Sequence, residues 1–313
     1  MTTPSPIFPE MNACTLCARA CGARRNEGKS GVCGMTAEIR AGRAALHMWE
    51  EPCISGAEGS GAVFFTGCPL RCVFCQNRTI ALGKEGVPVT VERLSEIFLE
   101  LAAQGANNIN LVTPTHYVPQ IIEAVGRARA EGLSIPILYN TGSYETPETI
   151  RSLSGTVDIF LPDLKYFEPE TGRRYSGAPD YFEVAAAAIR EMVALTGPPR
   201  FDDRGMLLSG TVVRHMVLPG HVREAKEILR YLHETYGDDI YVSIMNQYTP
   251  MEGIGVHFPE LGRRVTRREY DRVVDYALSI GLENAYIQEG PTAEESFIPS
   301  FRGEGILRQE ETH

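Results

Sequence analysis

Three cysteines lie close together in Gly67-Cys68-Pro69-Leu70-Arg71-Cys72-Val73-Phe74-Cys75-Gln76-Asn77, directly after the apolar run Ala62-Val63-Phe64-Phe65. Spaced C-x3-C-x2-C on one short loop, three thiolates can hold three corners of a [4Fe–4S] cluster and leave one iron without a protein ligand. A site built only for electron transfer caps every iron with a fourth cysteine. An iron left open accepts a substrate or cofactor, as the open position of a catalytic zinc does. The alternatives are a structural cysteine cluster and a zinc site one ligand short.

A second set reads Cys14-x2-Cys17-x3-Cys21-x11-Cys33, interrupted by Gly22, Gly28 and Gly31 and followed by Gly34. Glycine turns between near thiols bring ligands together, and four thiolates suit tetrahedral zinc or a fully capped iron–sulfur cluster equally. Unligated thiols are the third possibility. Arg19, Arg24, Arg25 and Lys29 stand around this stretch, as offsets to thiolate charge or as solvated cations. Cys53 is a lone thiol between the two sets, and His47 beside the single tryptophan, Trp49, reads as a packed residue.

All eight cysteines fall between positions 14 and 75 of 313. A disulfide framework spreads through a small secreted chain, whereas this crowding favours metal or cluster ligation. Residues 1–12 are polar and proline-rich, without the apolar centre of a signal segment. No window approaches the roughly 20 apolar residues of a membrane span, so the expected location is the cytoplasm, with no membrane partner. A hydrophobic content of 43% with 22% charged residues describes a chain that buries a full core. The formal charge of −10 argues against a nucleic-acid partner, which demands a basic face.

After Cys75 helical and strand periods alternate. Thr90 caps a helix carrying Leu94, Ile97, Phe98 and Leu101 at i, i+3, i+4 and i+7, ended by Gly105. Strands are expected at 109–112, 135–139, 157–161, 211–218 and 240–245, with a short one at 285–288. Helices are expected around 121–130, from Thr146-Pro147, from an Asp180/Glu183 capping box to Leu195, at 222–235, and from a Thr266/Glu269 capping box to about Gly281. Such alternation builds parallel βαβ units with right-handed crossovers. In barrels of this kind chemistry gathers at the carboxyl ends of the strands. Those ends hold the cysteine loop, Thr113-Pro114-Thr115-His116, Tyr139-Asn140-Thr141-Gly142, Leu161-Pro162-Asp163-Leu164-Lys165, Val213-Arg214-His215 and Asn246-Gln247-Tyr248. The glycines at 56, 59 and 61 read as a linker, which divides the chain into a cysteine-rich extension (1–57), a barrel (58–295) and a tail (296–313) that looks frayed.

C-x3-C-x2-C after a first strand, with aromatic Phe74 before the last cysteine, resembles the radical S-adenosylmethionine (SAM) superfamily. The resemblance implies a partial (β/α)6 barrel carrying a [4Fe–4S] cluster on Cys68, Cys72 and Cys75. It implies a unique iron that chelates SAM, with Phe74 near the adenine, and reductive cleavage of SAM to a 5′-deoxyadenosyl radical. Members usually carry a Gly-Gly-Glu-type segment after the second strand to bind the SAM amino group. Here Thr113-Pro114-Thr115-His116 stands instead, and Thr113 and His116 are the candidate replacements. Asp163-Leu164-Lys165, with Arg214 followed by apolar residues and Pro219-Gly220, resembles pyruvate formate-lyase activating enzymes and other glycyl-radical activases. By that match Asp163 and Lys165 hold the ribose and carboxylate ends of SAM, and Arg214 pairs with its carboxylate, as an arginine fork suits. Activases carry an acidic residue, beside a monovalent cation, where Asn140 stands. The expected partners are a flavodoxin or ferredoxin as reductant and a glycyl-radical protein as substrate. Modification of a peptide or small molecule is the alternative, and a zinc or iron–sulfur binding module without catalysis is the alternative of a different class.

Overall fold

The computed structural model describes residues 8–288 and 300–308. Ten strands form one sheet: β1 (Arg40–His47), β2 (Ser60–Phe65), β3 (Val87–Pro88), β4 (Ile109–Val112), β5 (Ile137–Thr141), β6 (Ile159–Pro162), β7 (Arg200–Phe201), β8 (Leu207–Met216), β9 (Tyr241–Met245) and β10 (Ala285–Ile287). Their order is β10-β9-β8-β6-β5-β4-β2-β1-β3, with β7 on β8. Strands β2, β4, β5, β6, β8, β9 and β10 run parallel, and the sheet ends at β10 and β3 without closing. This is the open, mixed α/β half-barrel that the sequence pattern predicted.

Every residue of β2, β4, β5 and β6 is buried, as expected of parallel strands covered on both faces. Helix Val91–Ala103 turns Leu94, Ile97, Phe98 and Leu101 inward, and Thr90 Oγ1 accepts from the Arg93 amide at its start. The helices Val118–Ala130, Tyr181–Thr196, Val222–Tyr236 and Arg267–Ser279 complete the outer layer. The Thr266/Glu269 capping box is present. The Asp180/Glu183 box is not: Asp180 makes no side-chain cap, and its Oδ1 accepts from the Tyr144 hydroxyl at 2.6 Å. The expected strands at 135–139 and 157–161 begin two residues later, at Ile137 and Ile159.

The cysteine-rich extension is continuous with the sheet. β1 pairs antiparallel with β2 from Ala41↔Phe65 to His47↔Ser60. Residues 300–308 return to β1, where the Gly303 amide donates to Gly42 and the Ala44 amide to Glu304, at 2.8 Å each. Phe301 packs on Phe64, with ring centroids 5.5 Å apart, and Phe301 and Ile306 are buried. The part of the tail that looked frayed is therefore held on the sheet, while the expected boundary at 295/296 lies outside the described residues. Among the described residues no helix is long and apolar enough to cross a membrane.

Candidate cluster and cofactor site

The loop leaving β2 turns on Gly67, at φ 93°. A Cβ there would stand 2.3 Å from Met35 Cγ, 3.0 Å from the Cys33 carbonyl oxygen and 3.1 Å from His116 Nε2. Only glycine lets this loop, the extension and the segment after β4 approach so closely. The loop then delivers Cys68, Cys72 and Cys75 to the wall of a cavity of about 310 Å³. Asp163, Lys165 and Arg214 line the same cavity, at the carboxyl ends of β6 and β8.

The three thiols lie near enough to affect one another. Burial, reinforced by the Cys72 thiol, pushes Cys68 up to about 11, and burial with Cys72 and Cys68 pushes Cys75 up to about 12. Held thus, the thiols ionise when a cation takes the charge, which is the chemistry of cluster ligation. The Lys165 ammonium faces them and favours their charged form. Ser176 Oγ donates to Cys72 Sγ at 3.0 Å. Among the described residues no three His, Cys, Asp or Glu side chains converge as ligands of one metal ion. A cluster makes a different demand, because it spreads its three thiolates over separate irons. These residues therefore fit a [4Fe–4S] cluster.

Across the cavity, charge is dense. Arg214 Nε donates to Asp163 Oδ1 at 2.8 Å, Nη1 to Glu50 Oε2 at 3.1 Å and Nη2 to Asn140 Oδ1 at 2.6 Å. Lys165 Nζ donates to the other oxygen of Asp163. Desolvation would raise Asp163, but Arg214 and Lys165 hold its carboxyl below the usual carboxylate range. Burial opposes the charges on Lys165 and Arg214, yet Asp163 holds both up, joined at Arg214 by Glu50 and Glu51. The result is a fixed row of alternating charges that stays ionised at neutral pH, with spare N–H groups on Arg214 still available. Such a row suits the ends of a zwitterionic ligand.

The other expected residues divide. Phe74 lines the cavity, edge-on to Tyr175 and Tyr248 at 6.1 Å each. Thr113 lines it in a left-handed conformation, φ 58°, rare for a β-branched residue that also precedes proline. Its amide donates to the Asn140 carbonyl at 2.8 Å, which fixes the carboxyl ends of β4 and β5 together. Asn140 lines the cavity, held by Arg214. His116 does not line it. Its Nε2 is 2.7 Å from the Thr66 carbonyl behind the cysteine loop, and burial, with Arg25 nearby, lowers it to about 3. A neutral histidine supporting the loop is what this geometry describes.

Glu50 was not singled out by the sequence. Its Oε1 accepts from Asn110 at 3.0 Å and Asn140 at 3.3 Å, and its Oε2 from Arg214. It arrives from the connection after β1, outside any βα unit, so the strand-end rule could not find it. The one available signal was the pair Glu50-Glu51 standing before Pro52 in an otherwise apolar stretch. His47 and Trp49 also reach the cavity edge, with Trp49 65% exposed.

Residues 62–232 match the family model of the radical SAM superfamily. Over 285 residues the chain is 26% identical to an uncharacterised protein of Methanocaldococcus jannaschii, covering 87% of this chain and 76% of that protein. Among solved structures, a domain of pyruvate-formate lyase-activating enzyme from Bacteroides vulgatus superposes with a TM-score of 0.41 at 14% identity, covering 55% of this chain and 92% of that one. SuiB of Streptococcus suis bound to S-adenosylmethionine gives 0.45 at 14% identity, with 71% of this chain covered and 48% of SuiB. The chain thus spans just under half of SuiB.

Proposed function

Because the chain belongs to the radical SAM superfamily, we propose that it is an enzyme that binds SAM in this cavity and abstracts a hydrogen atom from a glycine-containing polypeptide. The observation that carries the reading is the meeting of Cys68, Cys72 and Cys75 with Asp163, Lys165 and Arg214 around one cavity. When bound, a reduced [4Fe–4S] cluster and SAM supply a 5′-deoxyadenosyl radical.

The chain's own residues have distinct tasks. Cys68, Cys72 and Cys75 would hold the cluster, one thiolate short of capping every iron, and so leave it able to take a ligand from the cavity they line. Lys165 and Arg214 answer the SAM carboxylate, while Asp163 accepts from the ribose hydroxyls or the amino group. Thr113 offers its backbone carbonyl, and its amide, bonded to the Asn140 carbonyl, holds the two adjoining strand ends in place at the cavity. Phe74 and the apolar wall exclude water from the adenine side. The polypeptide half of the proposal rests on the activase-like segments Asp163-Leu164-Lys165 and Arg214 to Gly220, and on the charge of −10. An acidic surface gives poor steering toward nucleic acid. A cytoplasmic location, with a flavodoxin or ferredoxin as electron donor, belongs to the same proposal.

Anaerobically reconstituted and reduced protein should release 5′-deoxyadenosine from SAM, and a Cys68→Ala/Cys72→Ala/Cys75→Ala variant should release none. An absence of turnover in a fully loaded protein removes the reading. Incubation with glycyl-radical proteins should place a carbon-centred radical on one of them. A product formed only with a small metabolite or with RNA removes the polypeptide half alone.

A further inference from the structure

Arg25 carries a charge that nothing in the cavity explains. It is 1% exposed, and among the described residues no carboxylate pairs with it. Its Nη1 donates to the His116 carbonyl and its Nη2 to the Thr36 carbonyl at 2.7 Å, while its Nε finds no partner. The guanidinium stands 5.5 Å from the Tyr117 ring centroid, and Nη1 is 3.8 Å from Cys14 Sγ. Neutral acceptors do not offset the desolvation of a buried guanidinium, which calls for a counter-charge.

The ionisable side chains facing Arg25 are the thiols of Cys14, Cys21 and Cys33, the Tyr117 phenol and the His116 imidazole. At neutral pH neither ring supplies negative charge. The thiols do so once a metal replaces their protons. Cys17 lies within electrostatic reach of Cys14 and Cys33, and Cys33 within reach of Cys14 and Cys21.

Shape supplies a second, independent observation. A Cβ on Gly31 would stand 3.2 Å from Cys21 Sγ and 3.4 Å from Cys33 Sγ. The bare glycine leaves open a space flanked by two thiols. The Cys14 amide donates to the Ala23 carbonyl at 3.1 Å and the Gly22 amide to the Cys14 carbonyl at 3.0 Å, which folds the first cysteine back against the third.

We infer that Cys14, Cys17, Cys21 and Cys33 ligate a second metal centre of net negative charge, with Arg25 as its buried counter-ion. Two four-thiolate groups have this chemistry, zinc and a fully capped iron–sulfur cluster. Among the described residues no three such ligands converge on one metal ion, so the cluster, which spreads its thiolates over separate irons, suits these positions better. Metal analysis decides between them. The centre abuts the first one, since the Cys68 amide donates to the Cys33 carbonyl at 3.4 Å. Loading it therefore fixes one wall of the loop that carries Cys68, Cys72 and Cys75.

Cys21 gives a test in the intact chain, because it is an exposed thiol. In protein purified without oxygen, iodoacetamide should leave Cys21 unmodified until a chelator strips the metal. Prompt alkylation of Cys21 in untreated protein overturns the inference. Metal analysis of the Cys68→Ala/Cys72→Ala/Cys75→Ala variant assigns the source: retained zinc, about one per chain, or retained iron, about four per chain. Folded variant with neither metal overturns it, whatever the fate of SAM cleavage in the wild type. Arg25→Gln keeps a donor but loses the charge, and should release metal to a chelator about ten times faster. Arg24→Gln removes an exposed arginine paired with Glu27 and should leave that rate unchanged. Equal rates in the two variants overturn the counter-ion assignment.

Discussion

Arg214 illustrates how much one side chain fixes. Its guanidinium joins Asp163 on β6, Asn140 on β5 and Glu50 from the connection after β1. Removing it leaves two carboxylates largely buried and facing each other, a loss typically of about 3–5 kcal/mol. Arg214→Met should lower chemical-denaturation stability on that scale, whereas Lys165→Met, which leaves Asp163 its arginine, should cost much less. Equal losses would mean that the row of charges does not act as described. His116 gives a pH dependence. Its folded value of about 3 lies below the ordinary 6.5 or so, so the folded chain refuses a proton that the unfolded chain accepts. Stability is unaffected above about pH 6.5 and falls, by up to about 1.4 kcal/mol per pH unit, as pH drops from there toward 3. Denaturation midpoints measured from pH 7.5 to 5 should converge between wild type and His116→Gln as pH falls. A constant gap would show that His116 does not titrate this way. Of these residues the sequence named Asp163, Lys165, Arg214 and His116 from their places at strand ends. It missed Glu50 because a strand-end rule sees only residues that follow barrel strands, and it placed His116 in the cofactor site because such a rule cannot tell which way a side chain turns.

At the scale of elements, the parallel strands were legible because burial on both faces forces continuous apolar runs such as Ile109-Asn110-Leu111-Val112. Helices with a clear apolar stripe and a threonine cap, such as Val91–Ala103 and Arg267–Ser279, were legible for the same kind of reason. β1 was not. Its sequence Arg-Ala-Gly-Arg-Ala-Ala-Leu-His holds no β-branched or aromatic residue, and it becomes a strand through pairing with β2. Asp180 failed as a cap because the Tyr144 hydroxyl, distant in sequence, took its oxygen. The return of residues 300–308 was equally hidden, since it depends on two backbone hydrogen bonds to β1 and on two buried side chains. Phe301 fills the space beside Gly42, where an added Cβ would stand 2.8 Å from Ile80 Cγ2 and 3.0 Å from Phe301 Cβ. Phe301→Ala should therefore destabilise the protein by about 3–5 kcal/mol in chemical denaturation. A change below about 1 kcal/mol would show that this segment is only loosely attached.

At the scale of the whole molecule, the extension and the barrel meet through Arg19. Its Nε donates to the Pro69 carbonyl at 3.0 Å, within the loop between Cys68 and Cys72. Nη1 donates to the Gly177 carbonyl at 2.5 Å and Nη2 to the Ser176 carbonyl at 2.6 Å, at the end of the helix Pro169–Ser176. The guanidinium also lies over the Tyr144 ring, 5.0 Å from its centroid. One residue of the Cys14–Cys33 stretch thus ties the loop of Cys68, Cys72 and Cys75 to a helix more than 150 positions away. Ser176 in turn donates its hydroxyl to Cys72 Sγ, so the three groups form one connected frame around the thiols. Carbonyl oxygens receiving charge-assisted bonds at a helix end gain from the helix dipole as well. Arg19→Ala removes the tie while leaving every cysteine in place. The variant should keep its secondary structure, because β1 and the barrel strands pair without Arg19. Its loop should lose order, and iron bound by Cys68, Cys72 and Cys75 should be released to a chelator about threefold to tenfold faster than in wild type. Arg19→Lys restores the charge but not the three-way fork, so it should recover only part of that retention. Release at the wild-type rate from Arg19→Ala would show that the loop holds its shape without the extension, and that the two cysteine sets work independently.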